Sequence, residues 1–159
     1  EIELAKYVHL KDSAVLCEFF YKLNKQFSPN NTNKNYFDGL TNFSEFNIGM
    51  YLDKMREEVS GFLVPSFETI TGYGSNSAII HYKPKDGENK SAQLKANNIL
   101  LVDSGGHYLD LGTTDVTRTV YLGDSNTITE YQRECFTLVL KGNFILYFKY
   151  LSLLRSRII

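Results

Sequence analysis

The chain has 159 residues, 43% hydrophobic and 22% charged, which is the balance of one folded domain and excludes a chain disordered throughout. Its 17 basic and 18 acidic side chains nearly cancel, and no basic cluster is dense enough to track phosphates, which argues against nucleic acid as a partner. Two cysteines, Cys17 and Cys135, lie far apart on what read as two helices, a pattern of buried free thiols more than of a disulfide framework. The chain begins Glu1-Ile2-Glu3 with neither a methionine nor a signal peptide, so it reads as part of something longer.

From Glu1 to Phe27, Leu4, Val8, Val15, Phe19 and Leu23 recur at the period of one helix face. The asparagine-rich segment 28–42 lacks a periodic apolar face and reads as an inserted surface spacer that does not order itself. Ser44 then offers an N-cap to a second amphipathic helix carrying Ile48, Tyr51, Leu52 and Met55. Beyond Gly61 come short β-type runs, "FLVPSFETI", "SAIIHYKP", "NILLVDS" and "DVTRTVYL". Thr127 is placed to cap a last helix, with Glu130 at the capping-box position. Helix, helix, strands, helix predicts an α+β fold with helices on one face of a mainly antiparallel sheet.

The run "NILLVDS" ends on Asp103, and Asp115 follows 12 residues later. Side chains alternate along a strand, so Asp115, Thr117, Thr119 and Tyr121 share one face and Val116, Arg118 and Val120 the other. A tight three-residue loop at Asp110-Leu111-Gly112 sets Asp103 opposite Thr119 and leaves Asp115 about 13 Å down the partner strand. A wider loop from Tyr108 to Gly112, or a bend at Gly105-Gly106, sets Asp103 opposite Thr117 and makes Asp115 its diagonal neighbour, at roughly 7–8 Å between backbones. Two converging carboxylates repel unless one takes a proton or a cation lies between them. Oxygen-only ligands suit Mg, Ca or Mn, and bridging carboxylates hold the ions of two-metal hydrolases. From spacing alone, a polar hairpin with solvated aspartates is the commoner outcome.

The full strings "SFETITGYGSNSAIIHYKP", "ILLVDSGGHYLDLGTTDVTRTVYLG" and "ECFTLVLKG", with "EIELAKYVHLKDSAVLCEFF" and "YLDKMREE", closely resemble the cytosolic Xaa-Pro aminopeptidases, creatinase-like metallopeptidases of pita-bread fold. The resemblance implies that residues 1–142 form the N-terminal half of a metallopeptidase catalytic domain, with 28–42 as a loop and 143–159 as a divergent tail ending a truncated helix. By matching position it implies Asp103 and Asp115 as metal ligands of a site for two divalent ions, manganese first among them. It implies His81 as the catalytic and substrate-binding histidine that handles the scissile carbonyl. The implied reaction is metal-dependent release of an N-terminal residue from Xaa-Pro peptides in the cytoplasm. Proline-containing peptides are then the partners, a homodimer of the full-length parent is compatible with it, and a membrane anchor is not expected because Lys149 breaks the tail's apolar run.

Two departures qualify this. The family reads "YLDGTTD" where this chain has "YLDLGTTD", so the aspartates face together only if the turn absorbs Leu111. The resemblance also calls for a further histidine and two glutamates as ligands, and after Glu134 the chain has no Asp, Glu or His, so by itself it is expected to be inactive. His9 and His107 match no ligand position and read as structural or solvent-facing. A non-catalytic pita-bread binding module and a prolidase or methionine aminopeptidase-like relative are the alternatives.

Overall fold

The computed structural model describes residues 1–87 and 91–155, with side chains as far as Tyr150. Residues 156–159 of the expected tail lie outside the described residues. Two compact units result, Glu1–Asp124 and Ser125–Ile159.

In the first unit, helix α1 (Ile2–Gln26) buries Val8, Val15, Leu16, Phe19 and Leu23, and helix α2 (Glu45–Glu57) buries Ile48, Gly49 and Leu52. These are the stripes that the helical period demands. Each stripe also holds a charged residue at a helical spacing from its apolar neighbours, Asp12 in α1 and Arg56 in α2. Ser44 caps α2 as expected, its Oγ accepting from Asn47 N at 3.2 Å. The apolar stripes meet Leu100, Val102 and Leu122 of the sheet in one core. Burying each such side chain is worth about 1.5–3 kcal/mol.

The strands are β1 (Phe62–Pro65), β2 (Ile70–Tyr73), β3 (Asn98–Ser104), β4 (Gly106–Tyr108), β5 (Gly112–Thr113) and β6 (Val116–Leu122). They form two antiparallel sheets, ordered β1-β4-β5 and β2-β3-β6. One hairpin feeds both. Its register runs from Asn98↔Leu122 through Ser104↔Val116 to Tyr108↔Gly112, and the strands pass from one sheet to the other at Gly105. A Cβ on Gly105 would fall 1.9 Å from Thr114 O and 2.5 Å from Ser66 Oγ, so only glycine lets the two strands cross here. The tip is Leu109-Asp110-Leu111, with Asp110 at φ 56° and Gly112 at φ 117°.

Four sequence expectations change. "SAIIHYKP" is not a strand: a 3-10 helix, Gly74–Ala78, turns back on β2, with Ser77 Oγ donating to Gly72 O at 2.7 Å. The segment 28–42 is no unordered spacer, because it inserts Phe37, fully buried, edge-on against Phe19, Phe43 and Tyr51. Its asparagines close the loop, Asn31 Nδ2 donating to Gln26 O and Lys34 O, and Asn35 Nδ2 to Leu40 O. Polar composition hid one aromatic anchor. Cys17 is exposed, not buried, although both cysteines are free thiols as expected.

In the second unit, helix α3 (Glu130–Arg155) follows a short 3-10 turn, Ser125–Thr127. The cap is Thr129 instead of Thr127. Gln132 N donates to Thr129 Oγ1 at 3.2 Å and Thr129 N to Gln132 Oε1 at 2.9 Å, a reciprocal capping box two residues beyond the expected one. No helix among the described residues is long and apolar enough to cross a membrane.

Candidate metal centre

The register sets Asp103 opposite Thr117, which is the pairing that brings the aspartates together. The bend at Gly105 and the three-residue tip accommodate Leu111 with Asp103 kept opposite Thr117. Asp115 stands one residue before β6, two positions from Thr117, and is therefore the diagonal neighbour of Asp103. Thr117 Oγ1 donates to Asp103 Oδ1 at 2.7 Å, fixing one carboxylate oxygen. Along β3, Leu100, Val102 and Ser104 are buried while Ile99, Leu101 and Asp103 are half-buried, so the aspartate lies on the face turned away from the helical core. Asp115 is exposed.

Asp103, Thr117 and His81 line one cavity of about 290 Å³, with Ile70, Ile79, Ile80 and Leu101 among its apolar walls. His81 reaches it from an uncommon backbone, at φ 54°, just after the 3-10 turn. That turn is held by Glu45, whose fully buried carboxylate accepts four hydrogen-bond donors. Oε1 takes Tyr73 N at 2.7 Å and Asn76 Nδ2 at 2.9 Å, and Oε2 takes Tyr82 OH at 2.7 Å and Ala92 N at 2.9 Å. Burial, then the hydrogen bond to Glu45 and its charge, push the Tyr82 phenol up to about 12. Tyr82 is therefore a fixed donor at neutral pH, and its neighbour His81 is presented by a pinned loop.

The donor set that this chain offers is two carboxylates and a hydroxyl, all oxygen, which fits a hard divalent cation. Among the described residues no group of three or more His, Cys, Asp and Glu comes together to hold a metal ion. Two carboxylates and a hydroxyl are fewer ligands than such a cation takes. His9 is exposed, and His107 pairs through Nδ1 with Thr113 Oγ1 at 2.7 Å, away from the cavity lining.

Sequence reasoning missed Glu45, Asp12, Arg56 and Tyr108. Asp12 and Arg56 form a buried ion pair, Nε to Oδ1 at 2.7 Å, and Tyr108 OH donates to the same oxygen at 2.7 Å. Burial raises the Asp12 carboxyl, but the hydrogen bonds from Arg56 and Tyr108 and the Arg56 charge outweigh it and hold it below the ordinary carboxylate range. A signal was present: an acid on one apolar stripe and a base on the next are the marks of a buried pair.

An antiparallel sheet backed by helices, as these elements form, is the architecture of the pita-bread fold, which the solved aminopeptidases share. Residues 3–146 match the model of metallopeptidase family M24, and the chain belongs to that family. It is 39% identical over 146 residues to a probable Xaa-Pro aminopeptidase P of Leptosphaeria maculans, covering 92% of this chain and 22% of that protein. Over the same length it is 36% identical to aminopeptidase P2 of Arabidopsis thaliana, covering 18% of it. The chain therefore spans about a fifth of the length of these relatives. Among solved structures, the X-prolyl aminopeptidase of Caenorhabditis elegans, described as a cytosolic enzyme with a di-nuclear active site, superposes with a TM-score of 0.64 at 36% identity, covering 76% of this chain and 18% of that one. An Escherichia coli aminopeptidase P variant superposes at 0.66 with 19% identity, covering 91% of this chain and 27% of that one, a likeness of fold.

Proposed function

We propose that this chain carries one part of the active site of a cytoplasmic Xaa-Pro aminopeptidase, the part that supplies Asp103 and Asp115 as ligands to two divalent metal ions, manganese foremost. The supporting observation is that Asp103 and His81, from distant parts of the sequence, line one cavity, and that the register makes Asp115 the diagonal neighbour of Asp103. Such ions supply an activated water and charge stabilisation for attack on a peptide carbonyl. The chain's own groups bind and orient. Thr117 holds one oxygen of Asp103, and His81 reaches the cavity from a pinned turn as a hydrogen-bonding partner for the carbonyl before proline. The apolar wall of Ile70, Ile79 and Ile80 suits a proline ring. The two aspartates alone bind weakly, because each further charged ligand adds affinity, and the chain by itself does not turn over. The relatives at 36–39% identity are aminopeptidases, which favours Xaa-Pro peptides over Xaa-Pro dipeptides as substrates.

Calorimetric titration of the chain with manganese, beside Asp103→Asn and Asp115→Asn, tests this, with release of the first residue of an Xaa-Pro-Pro peptide followed in parallel. Weak binding lost in both variants, without turnover, is expected. Tight binding with turnover would refute the partial site, and binding indifferent to both substitutions would refute the ligand assignment.

A further inference from the structure

On the sheet face toward α1 and α2 lies a buried polar network that reaches Ser104 and Thr114, the sequence neighbours of the candidate ligands. Arg56 is wholly buried; besides its Nε bond to Asp12, its Nη2 donates to Asp12 Oδ2 at 3.2 Å and to Ser104 Oγ at 3.0 Å. Its Nη1 finds no hydrogen-bond partner among the described residues and stands 3.6 Å from Asp53 Oδ1. Asp53 in turn accepts from Thr69 Oγ1 at 2.6 Å. Tyr108 links Asp12 to the far side of the Gly105 bend, and the buried Thr114 takes Gly106 N on its Oγ1 at 2.9 Å.

Ser104 follows Asp103, Thr114 precedes Asp115, and Thr69 precedes Ile70, the β2 partner of Asp103. Consecutive strand residues project to opposite faces, so Arg56, by holding Ser104 behind the sheet, holds the strand end from which Asp103 projects in front of it. Asp115 follows Thr114, which is tied to the Gly105 bend by its bonds to Gly106. As a stabiliser the arrangement is poor. Desolvation of a buried pair cancels much of its attraction, and a buried guanidinium Nη1 that makes no hydrogen bond, at 3.6 Å from Asp53, adds a cost. Holding geometry is the use that such a network serves well.

We infer that the buried Asp12–Arg56 pair is a positioning device for the aspartates: by gripping Ser104, and the hairpin bend through Tyr108, it sets the separation and aim of Asp103 and Asp115. Its purpose rests on the metal-ligand reading of those aspartates, whereas the positioning rests on geometry alone.

The test uses the chain of 159 residues with Asp12→Leu/Arg56→Met, which replaces the pair by apolar side chains, an exchange that commonly leaves stability unchanged or raised. Residual dipolar couplings report the backbone at 103–105 and 114–116, and broadening of the same amides by added manganese reports binding, with Asp103→Asn as control. The double variant is expected to melt cooperatively, to keep wild-type couplings at 99–101 and 119–121, and to lose them at 103–105 and 114–116. Its half-broadening manganese concentration should rise by about 10- to 100-fold. Wild-type couplings throughout would overturn the inference. If the parent chain shows no broadening that Asp103→Asn removes, the metal reading fails, while the couplings still decide the positioning. Should the double variant not fold, Ser104→Ala removes one grip and leaves the ion pair intact; shifted couplings at the same amides support the inference and unchanged ones overturn it.

Discussion

Glu45 and Tyr82 show how a single side chain commits a loop. Four donors converge on the Glu45 carboxylate, and one of them, the Tyr82 hydroxyl, sits next to His81. The folded Tyr82 phenol is raised to about 12, above its value of about 10 in an unfolded chain. Its contribution to stability is therefore complete below about pH 10 and is lost as pH rises through 12. Tyr108, raised by burial and by its bond to Asp12, acts in the same direction. Chemical denaturation from pH 8 to 12 should show stability falling at the alkaline end, and Tyr82→Phe should make that fall shallower while costing about 1 kcal/mol at pH 8. The pairing of Asp103 with Thr117 was among the registers open to the sequence, while the reading of the aspartates as ligands came from the resemblance. Glu45 was not legible, because nothing in a helix's first turn distinguishes an acid that faces solvent from one that meets four donors folded in from β2, the 3-10 turn and the segment around Ala92.

At the scale of elements, the β3–β6 hairpin decides whether a site exists. The alternation of "DVTRTVY" foretold the polar face, and odd-loop geometry foretold that Asp103 must meet Thr117 for the carboxylates to converge. What the pattern could not choose was how the connection is made, since a wider loop and a glycine bend give the same register. The structure uses the bend, with β4 and β5 leaving for the second sheet. Gly105→Ala would drive a methyl into Thr114 O, and that carbonyl belongs to a buried residue held by Ser66 and Gly106 and has nowhere to retreat. We expect a loss of about 1–3 kcal/mol by urea unfolding, with the largest rise in amide exchange at 104–106 and 113–115. Helices α1 and α2 were legible in period and cap. "SAIIHYKP" was misjudged because its apolar residues, Ile79 and Ile80, read like a strand while they in fact stand exposed on a turn at the cavity wall.

Across the first unit, one core joins elements that the sequence separates by a polar insert. Phe37 is the link, packing on Phe19 of α1, Tyr51 of α2 and Phe43 just ahead of it. Phe37→Ala should cost about 3–5 kcal/mol and lower the urea midpoint of the whole unit in one transition. A loss under about 0.5 kcal/mol would return segment 28–42 to a surface spacer.

The amino-acid sequence by itself determined the helical stripes of α1 and α2, the alternation of β3 and β6, and the oxygen-only character of the candidate ligands, because these depend on residue type at a fixed local period. Only the tertiary structure decided that His81 shares a cavity with Asp103, that Phe37 anchors a polar loop, and that an acid from α1 and a base from α2 meet behind the aspartates. Those outcomes turn on which distant groups exclude water from one another. A buried charge or an aromatic anchor takes its meaning from partners that no local period specifies.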